Sequence, residues 1–286
     1  METSGIILID KDPGLTTVQE EVVVKRRLGV DRAGHAGTLD PFASGLLLIG
    51  INRGTKVLTF FEDKTKSYEA DLLLGEKTGT GDIDGTVIEK KEPSLHTEEE
   101  INKVLASFVG DTFQIPPMYS AIKKDGVPLY KMAREGLSIE RAPRKVHIAS
   151  LKLLSYDPAA NLIRFSTDVS KGTYIRTLGE DIAKGLNEIG HLTALRRTRV
   201  GGYSIDKAVK PLEALESDII PIKELFKGIT FISASPDQIK RIGNGADVAL
   251  DSSYPDMVMF LNPQGEAMAI YQKADKGWYK VFKEFL

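Results

Sequence analysis

The chain has 286 residues, of which 42% are hydrophobic and 27% charged, and its formal net charge is −2. This composition is typical of a globular protein of about two domains, and the near-neutral charge argues against a uniformly basic nucleic-acid binder. Cysteine is absent, no apolar run approaches the roughly 20 residues of a membrane span, and the first residues lack a secretory signal, so we expect a protein of a reducing cytoplasm without disulfides or thiolate chemistry.

Strands and helices are both predicted in the N-terminal third. Residues 5–9 form a short apolar run typical of a buried strand. Thr17 and Glu20 form a capping-box pattern that predicts the start of a helix, which should end near Gly29. Apolar residues then alternate with polar ones over 68–74, which predicts a strand with one buried face.

The middle of the chain continues this mixture. Thr97 and Glu100 make a second capping box before an apolar helical stripe that should end near Gly110. Residues 163–169 alternate as another strand, and a helix carrying Ile175, Leu178 and Ile182 should follow. Because strands and helices do not alternate strictly, we predict an α+β fold with a mixed, largely antiparallel sheet.

The character of the sequence changes near residue 228. From there the chain consists of short strand-like pieces separated by glycine and proline, which predicts a small β-rich domain. The expected domains are therefore residues 1–228 and residues 229–286.

The stretch 34–41, Gly-His-Ala-Gly-Thr-Leu-Asp-Pro, places one carboxylate, Asp40, on a turn rich in glycine. Gly34 and Gly37 permit backbone angles that other residues resist, and Pro41 fixes the exit of the turn. An Asp held in this way keeps the defined direction that a catalytic group needs. Taken alone, the motif is equally compatible with an ordinary Asp-Pro loop.

Several common sites are absent from the sequence. None of the four histidines has a partner at metal-ligand spacing, so we expect no metal site. The stretch that begins at Asp82 lacks the glycine and the final glutamate of a calcium-binding loop. Residues 78–81 are not followed by the Gly-Lys-Ser/Thr of a nucleotide-binding loop.

Positive charge is concentrated locally. Residues 123–147 contain seven basic and three acidic residues, a local net charge of +4, and a second basic group spans residues 196–199. Such clusters are compatible with a groove for a polyanion. The simpler alternative is solvated surface charge.

Seven strings in order carry a specific resemblance. They are Asp10-Lys11 with Gly14, Thr16 and Thr17; residues 34–41; residues 66–70; residues 74–78 with Asp82 and Gly85; residues 114–121 with Lys123, Gly126, Leu129 and Tyr130; residues 171–176; and residues 195–197. In this order and spacing, residues 5–200 resemble the bacterial TruB-type tRNA pseudouridine synthases. The C-terminal piece is similar to the small PUA-type RNA-binding domain of that family, although it has no diagnostic string. One departure is Asp12, where the family usually has proline.

The resemblance implies that the protein converts the uridine at position 55 in the T loop of tRNA to pseudouridine, without a cofactor or a metal. It implies Asp40 as the catalytic residue and Arg176 as its partner, which we expect to lower the pKa of Asp40. It also implies Tyr68 as a stacking residue, Leu195 as an apolar pocket residue and His35 as the group that fills the gap left by the flipped base. Without the resemblance, Tyr68 reads as a strand core residue and Leu195 as helix core.

Further contacts with the RNA follow from the same resemblance. Lys11 and Tyr174 are expected to bind the substrate nucleotide, and the basic segment, about residues 120–148, is expected to be an insertion that closes on the T arm. The residues expected at the RNA backbone are Lys123, Lys124, Arg141, Arg144, Lys145, Arg196 and Arg197.

The insertion favours a stand-alone enzyme over the guide-RNA-dependent relatives, which lack it. We also expect a monomer without an obligatory protein partner. Two alternatives stay open: a guide-dependent rRNA enzyme, and a tRNA-binding protein that helps tRNA to fold and for which modification is secondary. The sequence does not decide whether Asp40 attacks C6, attacks C1′ or removes the 2′ proton.

Overall fold

A computed structural model describes residues 3–275 and 277–286. Met1 and Glu2, on which part of the secretory-signal expectation rests, and Lys276 lie outside the described residues. The α-helices are α1 (Thr17–Leu28), α2 (Thr59–Glu62), α3 (Glu98–Ser107), α4 (Leu129–Arg134), α5 (Ile175–Gly185) and α6 (Pro236–Gly243). Short 3-10 helices span Asn52–Val57, Ile205–Lys207, Glu216–Asp218 and Ile222–Leu225.

The strands fall into one large sheet, one smaller sheet and two hairpins. In chain order they are β1 (Gly5–Lys11), β2 (Ala33–Ala36), β3 (Ser44–Ile51), β4 (Lys66–Leu74), β5 (Glu76–Thr78), β6 (Val87–Lys90), β7 (Gly110–Gln114), β8 (Lys123–Lys124), β9 (Val127–Pro128), β10 (Arg144–Asp157), β11 (Leu162–Val169), β12 (Gly190–Val200), β13 (Tyr203–Ser204), β14 (Ile220–Pro221), β15 (Thr230–Ser233), β16 (Val248–Ala249), β17 (Met257–Leu261), β18 (Ala267–Lys273) and β19 (Trp278–Glu284).

The large sheet has ten strands, eight of them in the order β14-β1-β3-β12-β4-β11-β10-β7, with β13 beside β12 and β2 beside β3. Its neighbours pair antiparallel except β3 and β12, which run parallel where Arg196 lies opposite Ser44. The predicted α+β class with a largely antiparallel sheet is therefore confirmed. The strands predicted at 5–9, 68–74 and 163–169 correspond to β1, β4 and β11.

The first helix begins one residue earlier than its capping pattern predicted. Its cap is Thr16, whose hydroxyl accepts from the Gln19 amide while the Gln19 side chain accepts from the Thr16 amide. Thr17 and Glu20 are instead buried in the first turn. The predicted end is correct, because Gly29 caps the helix in the left-handed conformation at φ +64°.

The second capping box, of Thr97 and Glu100, is confirmed. Helix α3 ends at Ser107, and Gly110 is already the first residue of β7. The predicted helix after residue 174 is α5, which buries Ile175, Leu178 and Ile182 as expected.

The core divides along the large sheet. Alternate residues of β4 are buried from Lys66 to Leu74. The apolar members of this row share one cluster with Ile101 and Leu105 of α3 and with Ile182 of α5. A second cluster joins Val24 of α1 to β1 and β3. Helices thus hold the strands that carry the candidate site.

The C-terminal strands form a separate five-stranded sheet in the order β15-β17-β18-β19-β16. It packs through Met259, Ile270 and Phe285 against the cluster of the large sheet that includes Leu46 and Leu48. The fold therefore has a small β-rich, PUA-like unit after the α+β part. The boundary between residues 228 and 229 stays a prediction.

The basic insertion starts after β7 and contains the β8–β9 hairpin and α4. The last residues of the predicted segment overlap the start of β10, which begins at Arg144 and pairs with β7 in the large sheet. The bounds of the insertion, about 120–148, stay a prediction. Within the described residues, no helix is both long and apolar enough to cross a membrane.

Candidate active site

A cavity of about 300 Å³ lies where the 34–41 stretch meets β4, β12 and the start of α5. Asp40, Tyr68, Tyr174, Arg176 and Leu195 all line this cavity. Residues that are far apart in sequence therefore come together at one site. Its wall also includes Gly37, Thr38, Leu39, Glu62, Lys66, Tyr119, Ser120, Ala121, Val169, Ser170, Lys171, Gly172, Thr173, Ile175 and Arg197.

Thr17, the first residue of α1, holds the turn that carries Asp40. The Thr17 hydroxyl donates to the Leu39 carbonyl and accepts from the Leu39 amide, both at 2.9 Å. Gly37 has a φ of +75°, a conformation that favours glycine. The Ala43 amide closes the turn by donating to the Asp40 carbonyl at 3.1 Å. The backbone on both sides of Asp40 is thus fixed.

Lys11 holds the residues that follow Asp40 in the same turn. Its side chain is fully buried, and its ammonium donates to the carbonyls of Asp12 (2.9 Å), Pro41 (3.1 Å) and Ala43 (2.8 Å). These three bonds use all three donors of an ammonium group. The expectation that Lys11 binds substrate is therefore corrected: the residue holds the exit of the Asp40 turn and does not line the cavity.

Arg176 joins the Asp40 turn to two other segments. Its Nε donates to Asp40 Oδ2 at 2.9 Å and its Nη2 to Asp40 Oδ1 at 3.3 Å, a bidentate pair. Its remaining donors reach the carbonyls of Thr80 and Tyr119, each at 2.7 Å. Only 4% of the Arg176 side chain is exposed, whereas 36% of the Asp40 side chain faces the cavity. This geometry orients one carboxylate toward the cavity.

The protonation of Asp40 follows from opposing effects. Burial raises the pKa of this carboxyl above its ordinary value; Arg176 lowers it, and the nearby Asp82 raises it. The net direction is upward, which corrects the expectation that Arg176 brings the pKa below the usual range. Arg176 limits the rise and so favours the ionised form that a nucleophile or base requires.

Tyr68 and Leu195 have two roles at once. Both belong to the large core cluster, at 8% and 6% exposure, and both line the cavity. Leu195 lies on β12 opposite Ala70 of β4, so the helix assigned to it in the alternative interpretation is wrong. Tyr174 immediately precedes α5, and burial raises the pKa of its phenol.

His35 lies beside the cavity wall and outside it. Its Nδ1 is 2.8 Å from Glu21 Oε2, and its Nε2 is 3.2 Å from the hydroxyl of Thr38. Thr38 lines the cavity, whereas His35 does not. His35 thus lies next to a residue of the cavity wall, and its two ring nitrogens contact Glu21 and Thr38.

Arg196 and Arg197 lie on opposite faces of β12. Arg197 is 1% exposed and donates to the carbonyls of Leu46 (2.7 Å) and Gly37 (3.0 Å). It is therefore not available to the RNA backbone, contrary to expectation. Arg196 is more exposed but makes a bidentate pair with Asp10 at 3.0 and 3.1 Å.

The basic residues of the insertion differ in their availability. Lys123 and Lys124 are exposed on the β8 strand, and Arg144 is exposed at the start of β10. Arg141 is partly buried. Lys145 pairs with Asp111 at 2.7 Å on the surface. The first three cations are accordingly the freest of the group.

The sequence interpretation missed three residues of the site. Asp82 Oδ2 lies 3.6 Å from Arg176 Nε, and Lys66 lines the cavity. Gln114 holds the backbone of Tyr174 with two bonds: it donates to the carbonyl at 3.3 Å and accepts from the amide at 3.0 Å. All three lie in the seven strings, which is the signal that could have identified them. Across the described chain, no cluster of three or more His, Asp or Glu side chains is arranged to hold a metal ion.

Comparisons with known proteins point to one family. Residues 25–175 match the profile of the TruB family pseudouridylate synthase N-terminal domain. The chain is 38% identical to tRNA pseudouridine synthase B of Syntrophotalea carbinolica, over 94% of this chain and 92% of the relative. It is also 38% identical to the Mesoplasma florum protein of the same name, over 98% and 97% of the two chains. Among solved structures, one in a Cbf5-Nop10-Gar1 complex superposes with a TM-score of 0.69 over 99% of this chain and 85% of that chain, at 22% identity.

Proposed function

The chain belongs to the TruB family of pseudouridylate synthases, and from this premise we propose that it isomerises uridine 55 in the T loop of tRNA. Relatives that match it over nearly their whole length bear the name tRNA pseudouridine synthase B. The observation that carries the proposal is the Asp40–Arg176 pair, whose carboxylate faces a cavity lined by Tyr68 and Leu195. The protein is a pseudouridine synthase, and tRNA is its substrate.

The reaction needs no co-reactant, because uridine and pseudouridine have the same atoms. The bond between C1′ and N1 breaks, the base turns, and C5 bonds to C1′. The hydrogen on C5 leaves as a proton, and N1 gains one. Asp40 acts on the sugar–base unit in its ionised form, as nucleophile or as base.

The substrate uridine reaches Asp40 only after it leaves the RNA stack, at a cost of a few kcal/mol. Stacking on Tyr68 returns about 1–3 kcal/mol of that cost. Leu195 provides an apolar wall for the base, and Tyr174 a polar group at the start of α5. We assign to His35, whose Nε2 lies 3.2 Å from the Thr38 hydroxyl, the role of filling the space that the base vacates.

Affinity for the tRNA comes from phosphate contacts outside the cavity. We assign these contacts to Lys123, Lys124, Arg141 and Arg144, with smaller contributions from the paired Lys145 and Arg196. The insertion favours a stand-alone monomer that works without guide RNA or obligatory protein partner. A cytoplasmic location is part of the proposal, since the chain has no cysteine.

The test is to incubate the pure protein with an unmodified tRNA transcript and to map pseudouridine at nucleotide resolution. We expect one new pseudouridine, in the T loop, without guide or partner. A second transcript with cytidine at that position should stay unmodified. If conversion required an added guide RNA or protein, the stand-alone assignment would be wrong.

A further inference from the structure

Lys66 is a buried cation of the cavity wall that the proposed chemistry does not use. It is the first residue of β4, two positions before Tyr68, and is 8% exposed. Its ammonium donates to the carbonyls of Glu62 (3.0 Å) and Lys64 (2.9 Å). An ammonium has three donors, so these two bonds leave one for a ligand in the cavity that Lys66 lines.

A second buried cation stands next to Lys66. A methyl group added at Gly37 would lie 3.4 Å from Cε of Lys66 and 3.5 Å from Nη1 of Arg197, so both side chains reach the same glycine. Burial, with the neighbouring Arg197 as the next cause, lowers the pKa of Lys66 to about 8. Two positive charges are thus held together in a poorly solvated wall of the cavity.

Neither cation has an acidic partner. Among the described residues, no carboxylate forms an ion pair with Lys66 or Arg197. The nearby Asp63 and Glu62 favour the charged form of Lys66, but Asp63 itself pairs with Lys171 at the rim, and Glu62 is exposed. Buried charges are usually paired, so this wall is set up to receive an anion from outside the chain.

We propose that Lys66, backed by Arg197, forms a subsite for a phosphate group that flanks the flipped nucleotide. This inference rests on the proposed function, because it takes the cavity occupant to be a nucleotide of RNA. A phosphate is the anion that such a nucleotide brings with it. Lys66 contacts the phosphate as a point charge, while the buried Arg197, which donates to the carbonyls of Leu46 and Gly37, adds the electrostatic field of its charge. The subsite would fix the sugar relative to Asp40, which lines the same cavity.

The experiment couples a change in the RNA to a change in the protein. Two T-arm hairpins each carry one neutral methylphosphonate, either 5′ or 3′ of the target uridine. Dissociation constants are measured for these RNAs and for the unmodified hairpin. The proteins are the wild type, Lys66→Met and Lys66→Gln. The control is Lys90→Met, which removes an exposed lysine that pairs with Glu76 and does not line the cavity.

We expect one of the two methylphosphonates to weaken wild-type binding roughly tenfold, the scale of one charge-assisted contact. Both Lys66 variants should bind the unmodified hairpin roughly tenfold less tightly than the wild type does. Their affinity should not fall further when the hairpin carries that methylphosphonate, because the contact is already lost. Lys90→Met should behave as the wild type on all RNAs. The glutamine variant keeps a polar group for the two carbonyls, so it serves if the methionine variant does not fold.

The proposal of a phosphate subsite is wrong if neither methylphosphonate weakens binding by the wild type. It is also wrong if a Lys66 variant binds the methylphosphonate hairpin roughly a hundredfold less tightly than the wild type binds the unmodified hairpin, because the two changes would then act independently. The same hairpins separate this failure from a failure of the proposed function. If the wild type converts the uridine of the unmodified hairpin, only the subsite is wrong. If the wild type does not convert the uridine of the unmodified hairpin, the proposed function itself is wrong.

Discussion

Replacing Arg176 with methionine tests whether this residue sustains the active form of Asp40. The change keeps an unbranched side chain of about the length of the arginine's aliphatic part but removes four hydrogen bonds, two to Asp40 and two to the carbonyls of Thr80 and Tyr119. Removing one partner of a buried pair costs about 3–5 kcal/mol. Because Asp40 is 36% exposed, solvent screening reduces this figure. We therefore expect a loss of about 2–3 kcal/mol in transition-state stabilisation, or roughly 30- to 150-fold in rate.

The pH dependence distinguishes this role from a purely structural one. Without Arg176, the effects that raise the pKa of Asp40, namely burial and the charges of Asp82 and Asp84, lose the main effect that opposes them. Asp40 then keeps its proton to higher pH, and the acid limb of the single-turnover rate profile moves upward. The matched control is Arg164→Met, which removes an exposed arginine paired with Glu69 at 3.2 Å and should change neither rate nor profile.

The assay is single-turnover conversion of a saturating T-arm RNA from pH 5 to pH 9, with binding measured alongside. A near-normal rate together with an unchanged acid limb would show that Arg176 does not act on Asp40. A folded variant with normal RNA affinity is required for either conclusion.

Three further changes test other parts of the site. Gln114→Leu removes both bonds to the backbone of Tyr174, so we expect about 1–3 kcal/mol less stability and slower turnover at unchanged RNA affinity. In Asp40→Asn, the difference in unfolding free energy between wild type and variant should fall with rising pH, because the folded pKa of Asp40 lies above 3.8 and ionising it in the folded state is costly. This fall starts near pH 3.8 and ends above the raised pKa. The third change neutralises the cations of the insertion, namely Lys123, Lys124, Arg141, Arg144 and Lys145. The slope of log affinity for tRNA against log salt concentration should become shallower by about 0.7–0.9 for each lost phosphate contact, and the rate of the chemical step should stay the same.

Each of these has an outcome that would contradict it. Normal turnover in Gln114→Leu would mean that the start of α5 is held without this residue. A stability difference that rises with pH in denaturant titrations would reverse the sign assigned to Asp40. A wild-type salt slope in the neutralised variant would place the phosphate contacts elsewhere, on Arg196, Arg199 and the C-terminal sheet.

The basic pair Arg196 and Arg197 shows where the sequence interpretation reached its limit. Two adjacent arginines look like one basic patch, but successive residues of a strand point to opposite faces. Once β12 is recognised as a strand, one of the two must point inward, and the register with β3 makes it Arg197. That register depends on contacts between residues about 150 positions apart, which local patterns do not contain.

The two possible caps of α1 illustrate the same point. Thr16 with Gln19 and Thr17 with Glu20 both match the capping box, and the local sequence does not distinguish them. The contact of Thr17 with Leu39 decides the choice. The turn that carries Asp40 and the strands β1, β4 and β11 were predictable, because glycine positions, apolar runs and alternating polarity are local properties of the sequence. The upward pKa of Asp40 was not, since it depends on burial by segments that meet only in the fold.

The most direct test of the central claim compares the wild type with Asp40→Asn on an unmodified tRNA transcript, with neither guide RNA nor partner protein present. Pseudouridine is mapped after long incubation, and tRNA affinity is measured for both proteins. We predict one pseudouridine at T-loop position 55 with the wild type and none with Asp40→Asn, while affinities agree within a few-fold because phosphate contacts carry binding. Measurable conversion by purified Asp40→Asn, free of wild-type enzyme, would contradict the assignment of Asp40 as the catalytic residue.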